Sequence, residues 1–273
     1  PEPDYFGSGD RGNIERAVRD EVKTSRILTY KGNDLSVDSI DCILTLMTHD
    51  IISGIGGKKV TIIGAGNLGS KLALRLVERG ANVTLTRRNQ EKLVSIVKAL
   101  NYIKPEQTFG VIRGTTDNEE GAAAADILVG MTNGIPVISS KMVDALAPNA
   151  LIMDAGKGCL FPDAIKRANA QGLTIMRVDV RPGFEGQVAM LMRAESLLKQ
   201  TLGRSIVNGV SVVSGGLLAR EGEVVVDDVH APRVVFGVAD GCGDFVRILS
   251  SDEEARMQIV KESIDRWQPA TGT

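Results

Sequence analysis

The chain has few of the residues that build metal or thiol sites. Among its 273 residues there are three cysteines and two histidines. Cys42, Cys159 and Cys242 stand far apart with no C-x-x-C pair, and the histidines are His49 and His230. That excludes a disulfide scaffold and a Cys/His zinc site, and it suits a reducing compartment. A net charge of -2 provides no basic field, which argues against nucleic acid as a partner. No apolar run approaches the roughly 18–20 residues needed to span a bilayer. The opening PEPDYFGSGD lacks the basic and apolar regions of a signal peptide. These absences predict a cytoplasmic protein with neither a membrane nor a nucleic-acid partner.

What remains is a globular composition on a chain long enough for two compact units. Residues 1–11 read as a Pro/Gly/Asp loop, and a helical pattern runs from Gly12 to about Leu28. Residues 29–34 read as a turn, after which Ser36 caps a helix through Ile40, Ile43, Leu44 and Met47. From Val60 the pattern alternates. Strands are predicted at 60–63, 82–86, 110–113, 126–131, 150–154 and 173–178, separated by helices. Short, largely apolar strands joined by helices imply a parallel sheet covered on both faces, an α/β doubly wound (Rossmann) fold. A helix at Gly186–Leu202 follows. Strand-like runs come next at 210–213, 223–226, 233–238 and 245–249. A closing helix runs from Ser251 to Trp267, with Ser251 and Glu254 as its capping box and Met257, Val260, Ile264 and Trp267 as its stripe. The expected division is a dinucleotide domain over 57–180 and a second lobe drawn from residues 1–56 and 181–273. Apolar hairpins after Val210 predict a homodimer.

The segment Val60-Thr61-Ile62-Ile63-Gly64-Ala65-Gly66-Asn67-Leu68-Gly69 carries the strongest signal. A G-x-G-x-x-G pattern is weak alone, but here it follows an apolar strand and opens an amphipathic helix. Gly64 makes the tight turn, and Gly66 lets a pyrophosphate approach the N–H groups at the helix start. Gly69 allows close helix–strand packing. The end of the second strand selects the cofactor. An Asp or Glu there would bond the ribose 2′-hydroxyl of NAD, but this chain has Thr86, Arg87 and Arg88, with Lys92 one turn on. Guanidinium groups hold a 2′-phosphate, so the expected cofactor is NADP.

Loops after the fourth and fifth strands, with Thr132, Asn133, Gly134 and Gly156, are expected beside the nicotinamide half. Lys157, in the second loop, is a candidate to polarise a carbonyl or orient substrate, set against a plain surface lysine. Asp179 and Arg181 read either as substrate contacts or as a salt-bridged helix entry. Lys31, Asn33 and Asp34 form a polar cluster that is either an acid/base unit or a turn. His230 is either a general acid or a surface residue, and Cys159 reads as structural.

The run from Lys59 to Arg88 resembles the nucleotide-binding domain of amino-acid-dehydrogenase-like enzymes, most of all shikimate dehydrogenase and its relatives. The resemblance makes Thr86-Arg87-Arg88 the counterpart of their Asn-Arg-Thr phosphate clamp. Tyr30 to Asp34 is similar to their Asn-Thr-Asp motif without its middle threonine, which implies Asp34 as the acid/base partner with Lys31 in support. Residues 126–158 and 179–186 also resemble methylene-tetrahydromethanopterin and methylene-tetrahydrofolate dehydrogenases. The expected function is hydride transfer between NADP(H) and a small-molecule substrate, a polar metabolite reacting at a hydroxyl/ketone carbon. The alternatives are a C1-pterin dehydrogenase, or an NADP-binding sensor or subunit without turnover.

Overall fold

The computed structural model describes residues 14–214 and 216–266, with backbone alone at residues 200, 265 and 266. The expected loop over 1–11 and Trp267 of the closing helix lie outside the described residues. Contacts divide the chain into a unit that runs to Gln187 and a second from Val188 onward.

The first unit is organised around six strands: β1 (Lys59–Ile63), β2 (Asn82–Thr86), β3 (Ile112–Thr115), β4 (Ile127–Gly130), β5 (Leu151–Asp154) and β6 (Thr174–Arg177). Their order is β3-β2-β1-β4-β5-β6, and every neighbouring pair is parallel. This is the doubly wound order that the alternating pattern predicts. Helices α1 (Ile14–Glu21), α2 (Gly32–Met47), α3 (Asn67–Glu78), α4 (Gln90–Ile103), α5 (Asn118–Ala122), α6 (Ser140–Asp144) and α7 (Pro162–Ala170) accompany it, and α8 (Arg181–Ser196) follows β6. The central strands are buried on both faces because successive side chains point opposite ways. Ile62 joins a core with Leu72, Leu76 and Leu85, whereas Ile63 joins one with Leu128, Ile138 and Met142. Full burial of each such side chain stabilises by about 1.5–3 kcal/mol, which is what holds the helices to the sheet.

Helix α2 departs from expectation in its start and in its place. It begins at Gly32, so residues 32–34 are its first turn, and Lys31 rather than Ser36 is its N-cap. Its apolar residues Val37, Ile40 and Leu44 join the core under α3. Its acids face α3 in a ladder: Asp34 pairs with Lys71, Asp38 with Arg75 and Asp41 with Arg79. Partner positions rise together on both helices, so α2 and α3 run parallel. The lobe expected from both chain ends is therefore not formed by α2, which belongs with the sheet, and the boundary falls at Gln187/Val188 instead of 180/181. The start of α8 also docks on α2, where the Gly183 N–H donates to Ser39 Oγ at 3.0 Å.

The second unit holds a four-stranded sheet, β7 (Gly203–Val207), β8 (Val210–Ser214), β9 (Val224–Val226) and β10 (Val235–Val238), in the order β10-β9-β8-β7. Its core unites Val212, Val224, Val226 and Val238 with Val260 of α9 (Ser251–Arg266). The predicted helix end at Leu202 becomes a π-turn over Leu197–Thr201, followed by the unpredicted strand β7. The strand expected at 245–249 is a loop that makes a single backbone bridge, Ala239–Phe245, and packs Val246 and Leu249 against the core of this sheet. The capping box of α9 lies one residue earlier than expected, at Ser250 and Glu253. The Ser250 N–H donates to Glu253 at 2.7 Å, and the Glu253 N–H donates to Ser250 Oγ at 3.4 Å.

Candidate functional site

The strand order reverses between β1 and β4, so the loops that leave their carboxyl ends diverge and open a crevice. A cleft of about 570 Å³ occupies this position. Its floor is the turn after β1. Gly64 has φ +117, and a Cβ there would come within 2.7 Å of the Met131 carbonyl oxygen. A Cβ on Gly69 would overlap the Gly64 carbonyl oxygen. The fold itself therefore requires both glycines. Gly66 differs, because a Cβ there would meet nothing within 4 Å. It is the N-cap of α3, and no side chain caps that helix. Asn67 and Leu68 complete this wall. A glycine that the protein does not need, at an uncapped helix start, fits an anion approaching the backbone.

Thr86, Arg87 and Arg88 line the same cleft. The Thr86 carbonyl accepts the N–H groups of Gly64 and Ala65 at 3.2 and 2.9 Å, which ties the end of β2 to the glycine turn. The Arg87 guanidinium donates to the Ala65 carbonyl and braces the same turn. Arg88 is exposed. Lys92 does not join them. Asn89 caps α4 by accepting the Lys92 N–H at 2.8 Å, and Lys92 sits beyond the lining.

Across the cleft, Met131, Thr132, Asn133, Ile135 and Val137 form the wall after β4. Gly134 and Gly156 lie outside the lining and serve instead to bring two loops together. A Cβ on Gly156 would come within 2.9 Å of the Thr132 nitrogen. Val137 and Ile138 N–H groups donate to the Cys159 carbonyl at 2.8 and 2.9 Å. The buried Cys159 sulfur accepts from the Thr132 N–H at 3.4 Å, a structural role as expected. The Asp154 carboxylate accepts the N–H groups of Gly158 and Cys159 at 2.7 and 3.2 Å, which fixes the second loop.

The proposed acid/base residues lie outside this lining. Lys157 is exposed and left-handed at φ +58, and Asn133, in the other of the joined loops, is left-handed at φ +31. Two such non-glycine residues together are uncommon. Asp34 sits in the ladder, and its hydrogen bond from Lys71 holds its carboxyl below the usual range, making it a weaker base. Lys31 is exposed at the start of α2; the salt bridge to Asp34 comes from Lys71, and Lys31 adds only its charge to the lowering of that carboxyl. Asp179 pairs with Arg181, and that bond lowers the Asp179 carboxyl, so the salt-bridged helix entry is what forms. His230 is an exposed turn residue whose N–H donates to Asp228 at 2.8 Å.

Of the polar lining residues, Asn118 is marked by no motif, and Asn33, expected as part of a polar cluster with Lys31 and Asp34, lines the cleft without them. Asn118 begins α5 just past β3, where its place at the carboxyl edge was the available signal. Asn33, at the first turn of α2, reaches the cleft and donates from Nδ2 to Asn67 Oδ1 at 3.1 Å. Among the described residues that line the cleft only Arg87 and Arg88 are charged, and no carboxylate accompanies them. The described residues hold no cluster of three His, Cys, Asp or Glu side chains suited to a metal. None of their helices is long and apolar enough to cross a membrane. The donor set is that of an anion site.

Residues 59–148 match a family described as NADP oxidoreductase coenzyme F420-dependent. The chain is 29% identical over 140 residues to a glycerol-3-phosphate dehydrogenase [NAD(P)+] of Bacillus subtilis, covering 49% of this chain and 39% of that protein. It is 30% identical over 129 residues to a shikimate dehydrogenase (NADP(+)) of Halorubrum lacusprofundi, covering 46% of this chain and 44% of that one. Among solved structures it is similar to a dipicolinate synthase polypeptide of Bacillus halodurans, with 15% identity, a TM-score of 0.46, and coverage of 62% of this chain and 56% of that one. The chain spans less than half the length of these two curated relatives. The family match runs from β1 through α6, so it contains the glycine turn and the end of β2, and both curated relatives are named as NAD(P)-dependent dehydrogenases.

Proposed function

We propose that this chain is an NADP-dependent oxidoreductase that moves a hydride between the nicotinamide and a small polar metabolite, at a hydroxyl/ketone carbon. The observation that carries the cofactor assignment is the charge of the cleft, where Arg87 and Arg88 stand without a carboxylate among the described lining residues. A carboxylate at the end of β2 would favour a free ribose hydroxyl, and guanidinium groups favour a 2′-phosphate. Bound NADPH supplies the hydride. The part played by the chain is to bind and orient. The uncapped start of α3 holds the pyrophosphate, Arg88 meets the 2′-phosphate, and Arg87 braces the turn between them. Thr132 and Asn133 form the wall past β4, the side that takes the nicotinamide half in this fold.

Lys157 is the proposed proton-handling side chain at the substrate oxygen, carried on a loop that Asp154 fixes. Asp34 and Lys31 stand behind it, because the ladder already engages Asp34. A second reading has its own support: no Asp, Glu, His or Lys is among the described lining residues. That favours hydride transfer without acid/base assistance, as from the methylene bridge of a C1-carrying pterin. The test is turnover of NADPH against a panel of keto acids, ketones and a methenyl-pterin, followed by nicotinamide absorbance. Turnover of ketones is expected. Tight binding with no turnover across the panel would overturn the enzyme reading and leave a non-catalytic NADP-binding protein.

A further inference from the structure

We propose that Asn33 is a positioning residue for the dinucleotide, acting through Asn67; this rests on the nucleotide reading of the cleft. The two carboxamides meet across 34 residues of sequence, with Asn33 Nδ2 donating to Asn67 Oδ1 at 3.1 Å, and both line the cleft. Asn67 is the first residue of α3, inside the glycine turn. A carboxamide has one oxygen and one amino group. Once Asn33 engages the oxygen of Asn67, the amino group is the end left to face a ligand. Asn33 thereby gives the glycine turn a side-chain donor of fixed sense, suited to an anionic pyrophosphate oxygen. Without Asn33 the Asn67 amide is free to rotate and to offer either end.

The geometry that places Asn33 is built into the first unit. The Asp34–Lys71, Asp38–Arg75 and Asp41–Arg79 pairs hold α2 in register with α3, and the Asn33–Asn67 bond extends that ladder to the cleft. Val37, Ile40 and Leu44 anchor the same helix to the core. In the open cleft both amides are exposed and their bond competes with water. A ligand lying over them removes that water, and the orientation set by Asn33 then counts for more.

The test is a double-variant cycle read by NADPH fluorescence titration, with the melting temperature of each variant as the folding control. Asn33→Ala is expected to weaken NADPH binding about three- to tenfold, the value of one oriented hydrogen bond. Asn67→Ala is expected to weaken it at least as much, and the double variant no further than Asn67→Ala alone. Asn33→Asp keeps the size but accepts from Asn67 and turns its oxygen outward, so it should bind more weakly than Asn33→Ala. On an Asn67→Ala background the extra loss from Asn33→Asp should shrink, which direct repulsion of the phosphates by the new carboxylate would not do. If the wild type binds NADPH and Asn33→Ala and Asn33→Asp bind equally well, or the single losses multiply in the double variant, the Asn33 proposal is overturned and the nucleotide site stands. If the wild type binds no NADPH, the nucleotide reading itself fails.

Discussion

A Cβ on Gly69 would overlap the carbonyl oxygen of Gly64, whereas one on Gly66, three residues earlier, would meet nothing within 4 Å. The two substitutions should therefore separate folding from binding. Gly69→Ala forces backbone apart at the junction of β1 and α3 and is expected to destabilise by about 2–4 kcal/mol. Gly66→Ala is expected to melt as the wild type does and to lose NADPH affinity by at least about tenfold, because the methyl takes space meant for the ligand. Thermal melts beside fluorescence titrations check both. An equal loss of stability in the two variants would contradict this division.

The two arginines of the cleft differ in what else they hold. Arg87 braces the Ala65 carbonyl, and Arg88 is exposed. Arg87→Asp is expected to lower the melting temperature as well as NADPH affinity. Arg88→Asp is expected to leave stability within about 0.5 kcal/mol of wild type and to shift preference toward NADH. Calorimetric melts and titrations with both nucleotides distinguish them.

Lys157 occupies a left-handed conformation at φ +58 that a side chain strains and glycine does not. Lys157→Gly is expected to hold or raise stability, by up to about 1 kcal/mol, while removing the amine. If the amine handles the proton at a ketone oxygen, kcat falls by about 100-fold or more with little change in NADPH affinity. Steady-state kinetics measure it, and unchanged turnover would favour the reading without acid/base chemistry.

In the second unit, burial of Glu223 works to raise its carboxyl, but the Arg220 N–H and the Arg204 guanidinium outweigh that and hold it below the usual glutamate range. Arg204 Nε lies 3.0 and 3.2 Å from its two oxygens. A carboxyl whose pKa is depressed on folding stabilises above its unfolded value, and that contribution is lost as pH falls through the folded one. Stability of the wild type is thus expected to drop below about pH 4.5, and Glu223→Gln to flatten that drop while costing about 2–3 kcal/mol at neutral pH. Denaturant melts across pH check the sign.

The sheet was legible because its code is local. Val60–Ile63 is apolar without interruption save Thr61, and the glycines that follow answer to contacts within a few residues or across one strand. The end of β2 was read for the same reason. What escaped the sequence depends on distance. Nothing in the run Lys31-Gly32-Asn33-Asp34 announces that these residues open a helix whose acids meet Lys71, Arg75 and Arg79 nearly forty positions away. Strand β7 carries Arg204 and Ser205 where an apolar alternation would have marked it, and it forms because β8 pairs with it. Phe245 to Leu249 has the apolar residues of a strand, but Phe245 packs against Gly237 and contributes only one bridge.

The expected homodimer is open to light scattering, with a mass of about twice 29.1 kDa as the outcome that supports it. A monomer at micromolar concentration would remove it.

The central claim is that the cleft between β1 and β4 takes a dinucleotide carrying a 2′-phosphate. Parallel titrations of the wild-type chain with NADPH and NADH at fixed salt measure it most directly. The account predicts NADPH binding at least about tenfold tighter, the equivalent of one charge-assisted phosphate contact, and reversal of that preference in Arg88→Asp. Equal affinity for the two nucleotides, unchanged in Arg88→Asp, would contradict it.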